Sequence, residues 1–189
     1  VKPTWRKYQV EPDNIILEID PGMAFGTGTH PTTVLCIQMI EQHLRPGASL
    51  LDVGTGSGIL MIAASKLGAG TIYGVDIDPV AVDVAGKNLL VNGIERFSLF
   101  AGHLVDQVEE TFDVVTANIL AEVILDLVPD VSRVLNDGGI LIASGIITRK
   151  KDAVLAGLNQ AGFEVIEMSE KEDCVAIVAG KSRLAGSIE

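Results

Sequence analysis

Residues 49–60, SLLDVGTGSGIL, decide the fold predicted for this chain. A short buried strand is predicted over residues 49–53, and a glycine loop follows it directly. Gly54, Gly56 and Gly58 alternate with small polar residues, and glycine lets a backbone turn tightly and approach a ligand closely. The residues after the loop favour a helix. A strand, a glycine loop and a helix in this order predict the start of a βαβ unit.

Strands and helices alternate along most of the chain beyond this stretch. Strands are predicted at 49–53, 71–76, 97–100, 112–117, 140–144, 163–168 and 174–179, and helices at 31–44, 57–67, 79–92, 122–135 and 148–160. Such alternation is typical of a parallel sheet with helices on both faces. The last two strands lie too close together for a parallel crossover, so they are expected to form an antiparallel hairpin. The predicted class is α/β, with a seven-stranded, mostly parallel sheet and that C-terminal hairpin.

The first 30 residues follow a different pattern. Residues 5–10 and 14–19 are predicted as two strands of a hairpin, and a segment rich in Gly, Thr and Pro leads from there into the first helix. The expected organisation is therefore an N-terminal hairpin and loop over residues 1–30, one α/β domain over residues 31–180, and a frayed tail over residues 181–189.

Polar residues stand where three of the predicted strands end, and ligands of open α/β sheets bind at that edge. The loop spacing is GxGxG rather than GxGxxG, which favours a nucleoside without a pyrophosphate over NAD; a plain tight turn is the alternative. Asp76 ends the second strand, where a carboxylate accepts hydrogen bonds from a ribose. Helix capping is the alternative role for Asp76, although Asp78 fits it better. Asn118 ends the fourth strand and is equally consistent with a ligand contact and with a helix cap.

Composition narrows the function classes. The 189 residues carry a net charge of −11, which argues against a broad nucleic-acid-binding face and is compatible with a basic protein or a cationic small molecule as partner. Mean hydropathy is +0.38, yet no apolar run reaches the 18 or more residues of a membrane span. Cys36 and Cys174 lie far apart, which excludes a Cys-rich zinc site and a disulfide scaffold and fits a reducing cytoplasm. No metal site is predicted.

Five stretches together resemble a known family. They read DPGMAFGTGTHPTT (20–33), LDVGTGSGIL (51–60), GVDIDP (74–79), ANILAE (117–122) and SGII (144–147). The glycine loop, the acid and the polar run resemble class I S-adenosylmethionine-dependent methyltransferases, and the order of all five is similar to the bacterial ribosomal protein L11 methyltransferase family. The resemblance covers nearly the whole chain and implies a Rossmann-like fold.

The resemblance also implies a reaction and a set of site residues. Methyl groups would pass from S-adenosylmethionine to lysine side chains and the N-terminal amine of a ribosomal large-subunit protein. Thr33, Gly54, Gly56, Asp76 and Asn118 would contact the methyl donor, with Asp76 on the ribose and Asn118 near the reacting centre. Our hypothesis is that Asn118 also orients the neutral amine that attacks, which makes it the candidate catalytic residue.

The chain departs from the family pattern at several places. His103 follows Gly102 where many methyltransferases place an acid for the adenine amine, and Cys174 stands where many family members carry Trp. The family usually carries a separate N-terminal domain that grips the ribosomal protein, and these 189 residues do not include it, so the chain is expected to be either an excised catalytic domain or a short relative with another substrate. A methyltransferase acting on another protein or a small amine, and a nucleoside-binding module without catalysis, therefore stay open as alternatives.

Overall fold

The computed structural model describes residues 1–3, 14–20 and 28–181. Its strands are β1 (Lys2–Pro3), β2 (Glu18–Ile19), β3 (Ser49–Val53), β4 (Thr71–Asp76), β5 (Ser98–Ala101), β6 (Phe112–Asn118), β7 (Leu135–Ile147), β8 (Phe163–Lys171) and β9 (Cys174–Lys181). Its helices are α1 (Pro31–His43), α2 (Ile59–Lys66), α3 (Pro79–Val91), α4 (Ala121–Val131) and α5 (Lys151–Gln160), with single 3-10 turns at Ser132–Val134 and Thr148–Lys150.

Strands β3 to β9 form one sheet in the order β5-β4-β3-β6-β7-β9-β8. The first five of these strands are parallel, and β9 runs antiparallel to both neighbours. The predicted mixed sheet and C-terminal hairpin are therefore confirmed. The strand order reverses between β3 and β6, because the chain moves outward through β4 and β5 and then returns to the other side of β3. Ligands of open α/β sheets bind at such a reversal.

Alternate residues of the central strands pack into two separate hydrophobic cores, one on each face of the sheet. Leu50, Val114 and Ile142 pack in the cluster that includes residues of α1, α2 and α3. Leu51 and Val115 pack on the opposite face in the cluster with α4 and α5. Because a strand's side chains alternate between faces, the central strands are covered by helices on both sides.

Two helices, α1 and α3, begin at residues whose side chains cap them. Asp78 precedes α3 and accepts a hydrogen bond from the Val80 backbone at 2.8 Å, and Pro79 occupies the first helical position. His30 precedes α1, and its Nδ1 accepts from the Thr32 backbone. Six consecutive apolar residues of α2, from Ile59, are buried. Side-chain caps thus fix the starts of α1 and α3, and burial of its apolar residues fixes α2 between them.

The N-terminal prediction is partly wrong. Of the predicted strand at 14–19 only Glu18–Ile19 is a strand, and it pairs in parallel with Lys2–Pro3. The predicted partner strand at 5–10 lies outside the described residues, so the hairpin stays a prediction. The Asn92 side chain also holds β2, since its Oδ1 accepts from the Glu18 backbone at 3.0 Å and its Nδ2 donates to the Glu18 carbonyl at 2.7 Å.

Strand β7 is longer than predicted. A turn was expected at 137–139 before a strand at 140–144, but strand structure runs from Leu135 to Ile147. The pairing with β6 shifts inside it: Phe112 pairs with Leu135, whereas Val114 pairs with Ile140. The residues of the expected turn are accommodated by this irregularity within the strand. Among the described helices, none has the length and apolar character that crossing a membrane requires.

Candidate functional site

The glycine loop after β3 adopts backbone conformations that favour glycine. Gly54, Gly56 and Gly58 have φ angles of 72°, 54° and 79°. The Gly54 backbone N–H donates to the Val75 carbonyl at 2.8 Å, which fixes the bend against β4. A Cβ atom at Gly54 would lie 2.4 Å from the Ile119 side chain. The loop therefore needs glycine at this position for its backbone angle and for the close approach of the segment after β6.

Asp76 ends β4 and faces this loop. Its Oδ2 accepts from the Gly56 backbone at 2.8 Å, and its Oδ1 accepts from the Asp78 backbone at 3.0 Å. Asp78 caps α3, so the alternative role of Asp76 as a helix cap is wrong. Each carboxylate oxygen accepts more than one hydrogen bond, which leaves Asp76 able to accept two hydroxyl groups in addition to the backbone N–H groups.

Asn118 ends β6 and points toward α1. Its Nδ2 donates to Thr33 Oγ1 at 3.2 Å, and Thr33 is buried. The helix-cap alternative is wrong here also, because α4 begins after Leu120 and has no side-chain cap. Within the described residues, Asn118 Oδ1 has no hydrogen-bond partner, and Asn118 is only partly buried. An amide oxygen is thus available at the strand reversal.

Strand β7 and the first turn of α1 complete the site. Ser144 Oγ donates to the Thr32 carbonyl at 2.9 Å, and the Ile119 backbone donates to the Ser144 carbonyl at 3.2 Å. At Gly145, whose φ is 83°, a Cβ atom would lie 2.1 Å from the Ile119 carbonyl oxygen. These contacts fix the segment that follows Asn118 from both sides.

All five residues predicted to contact a ligand lie at this edge of the sheet. Gly56 bonds Asp76 and Asn118 bonds Thr33, as described above. Gly54 and Asn118 directly follow Val53 and Ala117, which are paired in register. The structure thus brings the predicted residues together, and their contact with a methyl donor stays a prediction.

A buried carboxylate below the glycine loop was missed in the sequence. Asp52 is 1% exposed and accepts from Thr55 Oγ1 at 2.9 Å and from Thr116 Oγ1 at 2.7 Å. The pKa of Asp52 is raised to about 6, mainly by burial and to a smaller extent by the charge of Asp76, although the hydrogen bonds from the two hydroxyl groups oppose the rise. Asp52 was visible as a polar residue in a buried strand, but the pairing with Thr116 requires the strand register.

Asn88 was also missed, and it supports the glycine loop from behind. It is 2% exposed, its Nδ2 donates to the Ser57 carbonyl at 2.9 Å, and its Oδ1 accepts from the Asp20 backbone at 3.0 Å. The signal was a polar residue on the inward face of a helix. Its partners are distant in sequence, so the sequence alone did not assign them.

The two residues that depart from the family pattern, His103 and Cys174, differ in exposure to solvent. His103 is exposed, its Nδ1 lies 3.3 Å from Asp106 Oδ2, and the preceding Gly102 donates to the Asp76 carbonyl at 2.9 Å. Cys174 is buried in the core that includes α1. Among residues 1–3, 14–20 and 28–181, no three His, Cys, Asp or Glu side chains form a group that could hold a metal ion. The site offers carboxylate, amide and backbone groups.

Three comparisons with known proteins agree with this geometry. The family model described as ribosomal protein L11 methyltransferase (PrmA) matches residues 1–182. A ribosomal protein L11 methyltransferase of Desulfosudis oleivorans is 52% identical over 96% of this chain and 62% of its own length. Its counterpart in Geobacillus kaustophilus is 51% identical over 96% of this chain and 59% of its own length. The chain thus spans about three fifths of the length of these curated relatives.

A solved structure extends the likeness to the fold. The crystal structure of a ribosomal protein L11 methylase from Lactobacillus delbrueckii subsp. bulgaricus superposes with a TM-score of 0.92 at 36% identity. The match covers 96% of this chain and 93% of that one. The sequence and the arrangement of the sheet therefore point to the same group of proteins.

Proposed function

Because this chain belongs to the ribosomal protein L11 methyltransferase family, we propose that it transfers methyl groups from S-adenosylmethionine to amines of a ribosomal large-subunit protein. The accepting groups are lysine side chains and the N-terminal amine. The observation that carries the proposal is the meeting of Asp76, the glycine loop and Asn118 at the strand reversal, in a chain matched by the family model over residues 1–182.

The site residues fit the methyl donor. Asp76 retains acceptor capacity for the two ribose hydroxyls, and the glycine loop presents backbone without side chains. The donor supplies a methyl group already activated by a positive sulfur. The partly exposed Asn118 ends the strand next to the loop, and its amide donates to the buried Thr33 of α1, so the Asn118 oxygen is left for the accepting amine.

Protein groups have two tasks in this reaction. A lysine amine with a pKa of about 10.4 is protonated at neutral pH, so the site must favour its neutral form, which an apolar and water-poor surrounding does. Asn118 Oδ1 then accepts one N–H of the amine and directs the nitrogen lone pair. The N–C bond forms as the C–S bond breaks, the sulfur keeps the electron pair, and the nitrogen loses its extra proton to solvent.

The net charge of −11 favours a basic substrate such as a lysine-rich ribosomal protein. The cytoplasm is the proposed location, since both cysteines, Cys36 and Cys174, are unpaired thiols, as in a reducing compartment. The division into residues 1–30, 31–180 and 181–189 is retained as part of the same proposal.

Calorimetry and mass spectrometry test this function together. The protein is titrated with S-adenosylmethionine and with S-adenosylhomocysteine, and it is then incubated with the donor and purified ribosomal protein L11. We expect binding of both ligands and mass increases of whole methyl groups on lysine and N-terminal peptides. Asn118→Ala should lower turnover about 100-fold or more while donor affinity changes less than about threefold, because the amide orients the amine.

The outcomes separate the alternatives. Binding without methylation of any protein in a ribosomal mixture would indicate a nucleoside-binding module. Methylation of another protein or a small amine, with ribosomal protein L11 unchanged, would retain the reaction and replace the substrate. No heat with either ligand, on folded protein, would contradict the proposal as a whole.

A further inference from the structure

Asp52 is a buried carboxylate that the proposed reaction leaves without a role. It is 1% exposed, and its two hydrogen-bond donors, Thr55 and Thr116, are neutral. None of the ion pairs among the described residues involves it. An ionised group without a partner is costly to bury, so fully buried Asp is rare unless it is paired. A positive charge that arrives with a ligand would supply the missing partner.

The strand register shows where such a charge would have to lie. Asp52 pairs with Thr116 across β3 and β6. Asn118 follows Thr116 two residues later in β6, so these two side chains lie on the same face of the sheet, about 7 Å apart along the strand. The Asp52 carboxylate is bonded to Thr116 and to Thr55 of the glycine loop, so it lies beneath the part of the sheet edge that borders the proposed donor site.

We propose that Asp52 is a charge-sensing residue that stabilises the positive sulfur of the methyl donor and so distinguishes the donor from its product. This inference rests on the proposed function, because it concerns the same site. Donor and product share the adenosine and the amino-acid portion. They differ in the methyl group and in the charge of the sulfur, which is neutral once the methyl group has left. A buried negative charge attracts the donor through a medium that screens less than water does.

Two other titratable groups interact with Asp52. The Cys36 thiol on α1 is buried, and burial raises its pKa well above the usual range, so it stays neutral. Asp76 is the other group, and its negative charge opposes ionisation of Asp52. Because burial raises the pKa of Asp52 to about 6, both of its protonation states are populated near neutral pH.

The direction of the pH dependence follows. A positive sulfur favours the ionised carboxylate, so donor binding lowers the pKa of Asp52 and releases a proton near pH 6. Donor affinity should therefore be highest above pH 6 and fall as the pH decreases through that value. The product has no positive sulfur, so its binding should lack this component. The ratio of the two dissociation constants cancels every effect that both ligands share.

Calorimetric titrations with S-adenosylmethionine and S-adenosylhomocysteine test the proposal. They are run from pH 5 to pH 8 in two buffers of different ionisation enthalpy, which also counts the protons released. We expect the preference for donor over product to decrease about tenfold from pH 7.5 to pH 5, with proton release near pH 6 for the donor alone. In Asp52→Asn the ratio should not depend on pH and should equal the low-pH value of the unmodified protein.

Two further variants make the test specific. Asp113→Asn removes a carboxylate near the amino-terminal end of β6, which is the end opposite to the site, and it should keep the pH-dependent ratio. Thr116→Val removes a hydrogen bond that stabilises ionised Asp52, so the midpoint of the ratio should move to higher pH. If Asp52→Asn does not fold, the midpoint measured in Thr116→Val tests the proposal in its place.

Several results would overturn the inference. One is an equal pH dependence for both ligands; another is an Asp52→Asn variant that keeps the pH-dependent ratio, which would assign the ratio to a different group. An unchanged midpoint in Thr116→Val would also overturn it. If neither ligand binds the unmodified protein, the proposed function itself is contradicted, and this inference falls with it.

Discussion

Replacing Gly145 by Ala tests whether the turn after Asn118 is fixed by direct backbone contact. Gly145 has a φ of 83° and lies where the pairing between β7 and β9 shifts register. An added Cβ atom would lie 2.1 Å from the Ile119 carbonyl oxygen and 2.8 Å from its carbonyl carbon. These are backbone atoms, so the overlap cannot be relieved by rotating a side chain. Either β7 or the Asn118–Ile119 segment must move.

The expected magnitude has two components. A residue with a Cβ atom in the left-handed region costs about 1–2 kcal/mol. Overpacking of a filled interior costs about 1–3 kcal/mol more. The free energy of unfolding of Gly145→Ala should therefore fall by about 2–5 kcal/mol. For a chain of this length each kcal/mol lowers Tm by about 2–4 °C, so a decrease of about 4–20 °C is expected.

Gly162→Ala is the matched control. Its φ is 79°, nearly the same as at Gly145, but nothing lies within 4 Å of an added Cβ atom. This variant carries the backbone strain alone, so its Tm should fall by only about 2–8 °C. The difference between the two variants isolates the contact with Ile119.

Thermal unfolding and methyl-transfer kinetics are measured on both variants. A displacement of Asn118 by about 1 Å costs on the order of 100-fold in rate, so Gly145→Ala should lose that much turnover while Gly162→Ala keeps it. If both variants unfold at the same temperature and turn over at similar rates, the Ile119 contact does not position the site. The reasoning from the 2.1 Å approach would then be refuted.

Three further substitutions have distinct expected results. Asp76→Asn should weaken S-adenosylhomocysteine binding about tenfold or more by calorimetry, because it loses acceptor capacity; Asp78→Asn keeps a good helix cap and should bind normally, and an equal loss in both would exclude the ribose role. Thr33→Val removes the hydroxyl oxygen that accepts the hydrogen bond from Asn118 Nδ2, so turnover should fall about tenfold, whereas Thr33→Ser keeps the hydroxyl and should keep the turnover. Similar losses of turnover in both variants would indicate that Thr33 acts through packing rather than through this hydrogen bond. Hydrogen bonding from the Ser49 backbone holds the pKa of Asp113 below its usual value, so this carboxylate stabilises the fold above about pH 4 and the stabilisation is lost as the pH falls through the lowered pKa. The difference in urea midpoint between the unmodified protein and Asp113→Asn should therefore shrink below about pH 4, and a constant difference down to pH 2.5 would contradict this.

The central strands could be predicted because their boundaries are local. Strands β3 and β4 begin and end at the predicted residues, where apolar runs meet glycine or acidic residues. The boundary of β7 could not be predicted in this way. Asp137-Gly138-Gly139 has the composition of a turn, and Gly138 has a φ of 76°, but the strand continues past it because Leu135 before these residues pairs with Phe112 and Ile140 after them pairs with Val114. The local turn signal thus corresponds to an irregularity within a longer strand, whose start depends on pairing with β6.

Part of the site could be predicted because its residues stand at strand ends that the local sequence marks. Gly54, Asp76 and Asn118 each stand at a recognisable strand end, and the βαβ order places those ends at one edge. The pairing of Asp52 with Thr116 joins residues 64 positions apart and depends on the register between β3 and β6. No local pattern encodes that register.

The first turn of α1 links the two sides of the site. Thr33 accepts from Asn118 of β6, and the carbonyl of the adjacent Thr32 accepts from Ser144 of β7. The Ser144 carbonyl in turn accepts from the Ile119 backbone. The first turn of α1 is thus hydrogen-bonded to the ends of both β6 and β7, and the residue after β6 is hydrogen-bonded to β7. A displacement of the start of α1 would therefore shift the amide of Asn118 and the support of Ile119 together. This coupling explains why a helix that precedes the sheet in sequence contributes to a site at the carboxyl ends of its strands.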